Sequence, residues 1–391
     1  MPENVLPTAR QSAGHAIEVR ILGAMREIPE DAWDALSGVD EAPFLSWRWL
    51  DTLERTRCVG EEAGWLPHHL TFWQGGELLA AAPAYVKDNS EGEFVFDYAW
   101  ASASHQLGAP YYPKLVVAVP FTPATAQRLL VRRPDDRPAL LPALAEALRK
   151  LTAALDISSA HVLFPTPDEA AGLAGAGMAH RYGVQFHFEN DGYRSYDDFL
   201  ARFNSKRRHQ IRRERREVEQ QGLTIETLRG ADITPEVVDT MFGYYVSTVE
   251  KFAWGRQYLN RAFFEEITVK LSGAIEIVLA RDGRRPIAGA FNIAGPRALF
   301  GRYWGCSEER PFLHFDVCYY HPVEDCIRRG LARFEPGAGG SHKLVRGFVP
   351  TITHSAHHLT HPRLDAAVRE FLGRERAAIH AKTSDRSVAF R

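Results

Sequence analysis

The chain has 391 residues, of which 45% are hydrophobic and 25% are charged, and its formal net charge at pH 7 is −2. This length exceeds what one hydrophobic core normally supports, so the sequence predicts two domains. The near-neutral charge excludes a protein that coats nucleic acid over its whole surface, although a local basic patch is compatible with it. The four cysteines include no CxxC pair and are too few for a disulfide scaffold, which indicates reduced thiols.

The first sixteen residues (1–16) are polar and predict a flexible N-terminus. No basic start leads into an apolar run, so the segment does not have the pattern of a secretion signal. A run of eighteen apolar residues occurs nowhere in the chain, so no membrane span is expected. These features together predict a cytoplasmic protein.

The first half of the chain predicts a strand, two short helices, a hairpin, a long helix and a buried strand. Their ranges are 17–22, 31–36, 46–56, 69–86, 140–155 and 160–164. The hairpin is marked by Gly75 and Gly76 between two apolar runs, because a tight turn needs the positive φ angles that glycine adopts. The long helix follows from apolar residues that recur with helical spacing.

The second half repeats this opening. A hairpin over 275–293 turns at Asp282 and Gly283, and a strand over 298–304, a helix over 315–329 and a strand over 332–335 follow. Hairpin, strand, helix and strand are the order of an acetyltransferase core, and its opening occurs twice. The sequence therefore predicts an α/β fold with mixed sheets, although chance similarity of two hairpins is the alternative. The expected domains are 17–155 and 156–360, followed by a C-terminal helix and tail over 361–391.

A dense run of basic residues predicts a helix over 198–220. An apolar stripe on it consists of Leu200, Phe203, Ile211 and Val218. The side chains expected to bind the donor or another polyanion from the solvent side are Lys206, Arg208, Arg212 and Arg216, with Arg215 beside them. The alternative is a solvated charged face. In a chain of net charge −2, so local an excess indicates equally a contact with a tRNA, a cofactor phosphate or a phosphorylated substrate.

The first segment with candidate site residues is an aromatic and acidic stretch over 91–114, which Gly and Pro interrupt. Such a stretch can line a pocket for an amine or a polar head group. Its candidate substrate-binding residues are Asp97, Trp100, Tyr111, Tyr112 and Lys114. The alternative is that its aromatic residues are ordinary strand residues of one core.

The second segment covers residues 301–321. Its candidate substrate-binding residues are Arg302, Tyr303 and Tyr319, and Asp316 is a candidate catalytic acid or base. His314 and Cys318 stand one helical turn apart, but no further ligand follows at metal-binding spacing, so no metal is expected.

The third segment covers residues 334–348. Glu335 closes a strand, and the glycines after it can present backbone amides to an oxyanion. His342, Lys343 and Arg346 add titratable and cationic groups to the same place, and Arg346 is a candidate substrate-binding residue. This combination favours a functional loop over a simple turn.

At these residues the chain resembles the Fem-like branch of the GNAT acyltransferase superfamily, whose members are often described as peptidoglycan biosynthesis/recognition proteins. The clearest segments are Tyr111-Tyr-Pro-Lys-Leu115, Gly301-Arg-Tyr-Trp-Gly305 and Glu335-Pro-Gly-Ala338 with His342-Lys343. Further matches are 47–54, 119–123, 185–187, 193–200, 212–216 and 346–348. The matches run from about residue 44 to 358 and so cover most of the chain.

The resemblance implies two GNAT-like domains with a cleft between them, and transfer of an acyl or aminoacyl group to an amine. It adds His187 to the substrate-binding candidates. We expect Asp97, Tyr112, Lys114 and His187, from the first half of the chain, to face the Glu335 loop across this cleft. Three positions depart from the family pattern. Gly339 and Ser341 replace Gln and Glu in the glycine loop, and Asp316 replaces a Glu.

The mechanism inferred is direct transfer, in which an amine acceptor loses a proton to a base and attacks the donor. Glu335, Asp316 and His342 are the candidate bases, and Lys343 with the loop amides is expected to steady the oxyanion. No tightly bound cofactor is expected; acyl-CoA or aminoacyl-tRNA is the co-substrate, and the acceptor is a small-molecule or peptide amine. The alternative is a non-catalytic protein that recognises a peptide or cell-wall precursor through a degenerate cleft.

Overall fold

The computed structural model describes residues 5–6, 16–251 and 255–391. The expected flexible N-terminus, residues 1–16, therefore lies almost wholly outside the described residues. The chain divides into two compact units. Unit 1 comprises Met1–Gly183 and Ile352–Lys382, and unit 2 comprises Val184–Thr351 and Thr383–Arg391.

The secondary structure is mixed, which confirms the expected α/β class. The strands are β1 Val5–Leu6, β2 Glu18–Leu22, β3 Leu66–Pro67, β4 His69–Gln74, β5 Glu77–Ala82, β6 Ala84–Lys87, β7 Lys114–Val117, β8 Leu130–Val131, β9 Ser159–Leu163, β10 Ala179–Glu189, β11 Leu223–Arg229, β12 Ile275–Asp282, β13 Arg285–Ala294, β14 Ala298–Cys306, β15 Arg333–Glu335 and β16 Val349–Leu359. The α-helices are α1 Glu30–Asp34, α2 Trp47–Arg55, α3 Tyr98–Gln106, α4 Arg137–Ala154, α5 Pro167–Gly175, α6 Tyr196–Ala201, α7 Ser205–Gln220, α8 Pro235–Glu250, α9 Arg261–Lys270, α10 Leu313–Phe315, α11 His321–Arg329 and α12 Pro362–Thr383. A π-helix, Asp316–Tyr320, joins α10 to α11.

In unit 1, one strand expected over 77–86 is divided in two at Pro83. β5 pairs with β4 and β8, whereas β6 pairs with β3 and β7. Proline has no N–H to donate to a ladder, so the chain can leave one sheet at this residue and enter another. The turn at Gly75 and Gly76 has the expected positive φ angles, 58° and 84°.

The second sheet of unit 1 contains a parallel pair, β7 and β9, joined by α4 and flanked by antiparallel β6 and β16. Leu144 and Leu148 of α4 pack into one core with Val117 of β7 and Val162 of β9. The boundary expected at residue 155 therefore lies inside unit 1, because β9 completes its parallel pair only after α4. The chain passes from unit 1 to unit 2 within β10, at Gly183.

Unit 2 repeats the same arrangement. β11, β12, β13 and β14 form an antiparallel series, β14 pairs in parallel with β15, and β10 flanks β15 antiparallel. The crossover from β14 to β15 is the helical segment Leu313–Arg329. Each unit therefore has a parallel strand pair joined by a helix. This repetition agrees with the expected duplication.

Candidate active site

The parallel strands β14 and β15 pair over only three residues, from Ala298 with Arg333 to Phe300 with Glu335. β15 then ends at Pro336, and the loop turns through Gly337, Gly339 and Gly340, whose φ angles are 85°, 71° and 81°. L-residues with side chains rarely adopt such angles, so the glycines permit the turn. Among the described residues, β14 has no strand partner on that side beyond Phe300.

The pairing of β13 with β14 contains a bulge beside this open edge. Phe291 opposes Tyr303 and Asn292 opposes Gly301, so Arg302 is the extra residue. The Asn292 Nδ2 and Arg302 Nε atoms are buried and have no hydrogen-bond partner among the described residues. Bulges are common next to active sites, and buried donors of this kind are suited to a ligand oxygen.

Tyr303, expected to bind substrate, packs beside other aromatic rings. Its ring centroid lies 4.8 Å from that of Tyr245 and 6.2 Å from that of Phe291. The glycines on either side of it allow close packing. A Cβ on Gly305 would stand 1.9 Å from the Tyr244 carbonyl oxygen, so α8 lies directly against β14.

The glycine loop leads into a 3-10 turn, Ser341–Arg346, that carries two of the expected catalytic residues. Lys343 is 3% exposed, and its ammonium donates a hydrogen bond to the Gly337 carbonyl at 2.7 Å. Burial lowers the pKa of Lys343 to about 8. His342 is exposed, and its Nε2 lies 2.8 Å from the Tyr319 hydroxyl. Partial desolvation of the ring, and then the charges of Lys343 and Arg346, lower the pKa of His342.

Glu335 is enclosed at the end of β15. One carboxylate oxygen lies 2.8 Å from Arg333 Nε, and the other lies 3.8 Å from His187 Nε2, which also contacts the Gln185 side chain at 3.1 Å. His187 was expected to face Glu335 from the first half of the chain. It lies in unit 2 instead, because β10 enters unit 2 at Val184. Burial lowers the pKa of His187.

Asp316 does not contact the 3-10 turn; its carboxylate lies 3.5 Å from Arg215 Nε on α7. Burial raises the pKa of Asp316 to about 6. Asp316 and Tyr319 were both expected among the site residues. In the π-helix, however, Tyr319 contacts His342 while Tyr320 contacts Glu214 of α7. A π-helix is often found at functional sites, and its wider turn explains the different directions.

The His314 ring packs between Trp304 of β14 and His342 of the 3-10 turn. Its ring centroid lies 4.9 Å from that of Trp304 and 5.9 Å from that of His342. Burial and the neighbouring His342, Arg346 and Lys343 lower the pKa of His314 to about 4, so the ring is neutral at pH 7. No group of three His, Cys, Asp or Glu side chains within the described ranges could hold a metal ion.

The expected basic helix is divided into α6 and α7. The Asn204 side chain accepts a hydrogen bond from the Arg207 amide at 2.9 Å and so caps α7. The apolar stripe is confirmed, since all four of its residues are buried. A groove follows the outer face of α7 and is lined by Lys206, His209, Gln210, Arg213, Arg216, Glu217 and Gln220.

Two of the four expected polyanion-binding residues, Lys206 and Arg216, lie on this outer face. Arg208 is half-buried, and Arg212 is paired with Asp197 at 2.8 Å. Arg215, expected beside them in solvent, contacts Asp316 and Glu324 and covers the Tyr196 ring. The sequence missed His209 and Arg213, although both follow Lys206 with helical spacing.

In unit 1, the candidate substrate-binding residues form a closed network. The Lys114 ammonium is fully buried and donates hydrogen bonds to Ser90 at 2.7 Å, Glu93 at 2.9 Å and Asp97 at 2.5 Å. The Tyr111 hydroxyl donates to Asp97 at 2.6 Å. The Tyr112 hydroxyl lies 2.8 Å from Ser90 Oγ. Burial raises the pKa of Glu93 to about 7, against the opposing effect of Lys114.

Trp100 continues this network toward two buried histidines. Its ring centroid lies 4.8 Å from that of His357, whose Nδ1 lies 2.7 Å from His161 Nδ1. The sequence missed Glu93, His161 and His357. The position of each histidine within a strand could be predicted from the sequence. Only the pairing of β9 with β16, however, brings His161 and His357 together.

The FemAB-like family model, described as peptidoglycan biosynthesis/recognition, matches residues 24–391, and the chain belongs to this family. The structure of FemX is similar with a TM-score of 0.51 and 13% identity, covering 88% of this chain and 98% of FemX. The C-terminal domain of a putative lysylphosphatidylglycerol synthetase from Agrobacterium fabrum gives a TM-score of 0.47 and 14% identity, covering 74% and 84%. A tandem GNAT protein from the clavulanic acid pathway gives 0.42 and 14%, covering 88% and 99%.

These identities show the fold alone, and the family match carries the classification. No curated protein sequence matches the chain. The fold is similar to that of FemX, and the classification of the chain is that of the FemAB-like family. In the part of the chain that the structure describes, no helix is both long and apolar enough to cross a membrane.

Proposed function

We propose that the protein transfers an acyl or aminoacyl group from an activated donor to an amine, at the end of β15 in unit 2. The observation that carries this proposal is the 3-10 turn, where exposed His342 stands beside buried Lys343. The His342 imidazole can accept a proton, and the Lys343 ammonium can stabilise a developing negative charge. The open edge of β14 next to Pro336 gives the donor carbonyl room to approach.

In the proposed reaction, neutral His342 takes a proton from the acceptor ammonium, and the free amine attacks the donor carbonyl. Lys343 is mostly protonated at pH 7, since its pKa is about 8, and it donates to the carbonyl oxygen as that oxygen becomes negative. The C–N bond forms and the bond to the leaving group breaks. Protonated His342 then gives its proton to the leaving thiolate or ribose oxygen, and the attacking nitrogen releases its second proton to solvent. Glu335 and Asp316 are less suited to this role, because Arg333 and Arg215 already face their carboxylates.

The choice of donor depends on where a polyanion can bind. The outer face of α7 has Lys206, Arg213 and Arg216 along one groove, which suits an extended phosphate backbone. After β14, by contrast, the nearby cations Lys251, Arg285 and Arg310 already pair with Glu308 and Glu309, which makes this loop less suited to a pyrophosphate. We therefore propose aminoacyl-tRNA over acyl-CoA as the donor. The family description supports a peptide amine of a peptidoglycan precursor as the acceptor.

A binding protein without catalysis is the second candidate. The observation that favours it is the glycine loop, where Gly339 and Ser341 occupy exposed positions that the family pattern fills with Gln and Glu. Loss of these side chains removes polar contacts that could position a substrate. The residues that we assign to chemistry, His342 and Lys343, are nevertheless both present.

The test is a thermal-shift comparison of CoA thioesters with charged tRNA, followed by mass spectrometry of peptide amines incubated with the donor that binds. We expect charged tRNA to raise the melting temperature and the peptide to gain one aminoacyl group. Binding without any mass gain would favour the binding protein. Stabilisation by CoA thioesters alone would contradict the donor assignment.

A further inference from the structure

We infer that Glu214 is a positioning residue, which holds the 3-10 turn of His342 and Lys343 in place through Arg346. This inference rests on the proposed function for its catalytic meaning, but its geometry stands independently. Glu214 lies on α7 beside the groove, next to the lining residue Gln210, and is 2% exposed. A buried carboxylate on a helix that is otherwise strongly basic needs a specific set of partners.

Three donors surround the Glu214 carboxylate. Gln210 Nε2 donates to one oxygen at 2.8 Å, while the Tyr320 hydroxyl at 2.5 Å and Arg346 Nη2 at 3.0 Å donate to the other. These partners come from α7 itself, from the π-helix and from the end of the 3-10 turn. Glu214 therefore joins three separate segments of unit 2 at one point.

Arg346 connects Glu214 to the 3-10 turn. Its Nη1 donates to the His342 carbonyl at 2.9 Å, and its guanidinium lies 3.3 Å from the centroid of the Phe315 ring. Lys343 follows His342 directly and donates to the Gly337 carbonyl. The chain of contacts from Glu214 through Arg346 to the His342 carbonyl thus fixes the backbone that carries both proposed reacting groups.

The same helix also carries the groove along its exposed side. Lys206, Arg213 and Arg216 point into that groove, while Glu214 and Arg215 contact the π-helix and the turn. A displacement of α7 would move both sets together, because the helix is one rigid element. Donor binding on the outer face and the geometry of the turn are therefore linked by this helix.

The test measures the titration of the Lys343 amine in the 391-residue protein without any substrate. Acetic anhydride is applied over a range of pH, and mass spectrometry follows acetylation of Lys343. In the native protein the labelling midpoint should lie near 8, where burial places the pKa of Lys343. In Glu214→Gln, a loosened turn exposes the amine, and the midpoint should rise by about one pH unit or more toward the ordinary lysine value of about 10.4. The titratable groups that interact electrostatically with Lys343 are Cys318, His314, His342 and His187, and Arg346 lies on the same turn.

Glu219→Gln is the matched control, because Glu219 is exposed on the same helix and should leave the midpoint unchanged. If Glu214→Gln does not fold, Tyr320→Phe replaces it in the test, since this change removes one hydrogen-bond donor to Glu214 and keeps the aromatic ring. We expect the labelling midpoint of Lys343 to rise in Tyr320→Phe as well, but by less. A midpoint unchanged from the native protein in the folded variant would overturn the inference. Because labelling needs no activity, this failure is separate from an absence of transfer by the native protein.

Discussion

Lys114 in unit 1 and Lys343 in unit 2 are both buried, but they have opposite surroundings. Lys114 contacts two carboxylates, which raise its pKa against the effect of burial. Lys343 donates to a backbone carbonyl, and burial lowers its pKa to about 8. A buried ammonium with anionic partners holds a fold together, whereas one with a neutral partner can exchange it for a substrate oxygen.

The histidines repeat this contrast. His161 and His357 are buried in unit 1, contact each other and each contact a serine hydroxyl, Ser159 for His161 and Ser355 for His357. His342 in unit 2 is exposed and contacts one tyrosine hydroxyl. The same residue types therefore form a closed structural network in one unit and an accessible candidate site in the other.

The largest expected effect is on stability, from Lys114→Met. The change leaves Glu93 and Asp97 buried without their cation, which should lower the free energy of unfolding by about 3–5 kcal/mol. Urea denaturation measures it, with Lys343→Met as the control that should differ from the native protein by less than about 1 kcal/mol. Equal losses in both variants would remove the distinction between the two lysines.

Lys343→Met should instead affect the reaction. If its ammonium stabilises the oxyanion, turnover should fall by about 10²- to 10³-fold, the usual result of removing one such donor. Steady-state kinetics with the donor identified by thermal shift provides the measurement. Lys343→Arg keeps the charge in a different shape and should restore only part of the activity. Turnover within a few-fold of the native rate in Lys343→Met would exclude Lys343 from the chemistry.

Acid should weaken unit 1 through its buried histidine pair. Burial lowers the pKa values of His161 and His357 well below the ordinary value, so the unfolded chain binds more protons below about pH 6.5. The stability that the neutral His161–His357 pair contributes is complete above that pH and is lost as the pH falls. Glu93 and Asp316 act in the opposite sense, because their pKa values are raised.

The measurement is therefore a difference between variants. The loss of stability from pH 7.5 to 5 should be smaller in His357→Gln than in the native protein, by up to about 2 kcal/mol. His105→Gln, at an exposed position, should show the native dependence. An unchanged dependence in His357→Gln would mean that the pair does not titrate on unfolding.

The smallest expected effect separates the two sides of α7. Arg213→Glu with Arg216→Glu should weaken tRNA binding about tenfold or more. The salt dependence of binding should also decrease, because a protein that makes fewer phosphate contacts releases fewer counterions when it binds. Arg208→Glu with Arg212→Glu should change binding less, since Arg208 is half-buried and Arg212 is paired with Asp197. Filter binding at several salt concentrations compares the two pairs. Equal effects would indicate a diffuse basic surface instead of a groove.

The sequence by itself determined the local elements. Gly75 and Gly76 marked the first hairpin, helical spacing marked α4, and the mixed α/β class with its repeated opening followed from their order. These features depend on residues close together in the chain, so periodicity and turn chemistry report them. The family resemblance also came from short segments and is confirmed by the match over residues 24–391.

The tertiary structure decided which candidates meet. Glu335 and His187 come together only because β10 pairs with β15, and Glu214 meets Arg346 across a separation of 132 residues. The sequence placed Lys114 among substrate-binding residues, but its burial with Glu93 and Asp97 depends on segments brought together by folding. A charge pattern gives the type of a side chain, and only long-range packing fixes its partner and its access to solvent, on which the pKa and the chemical role depend.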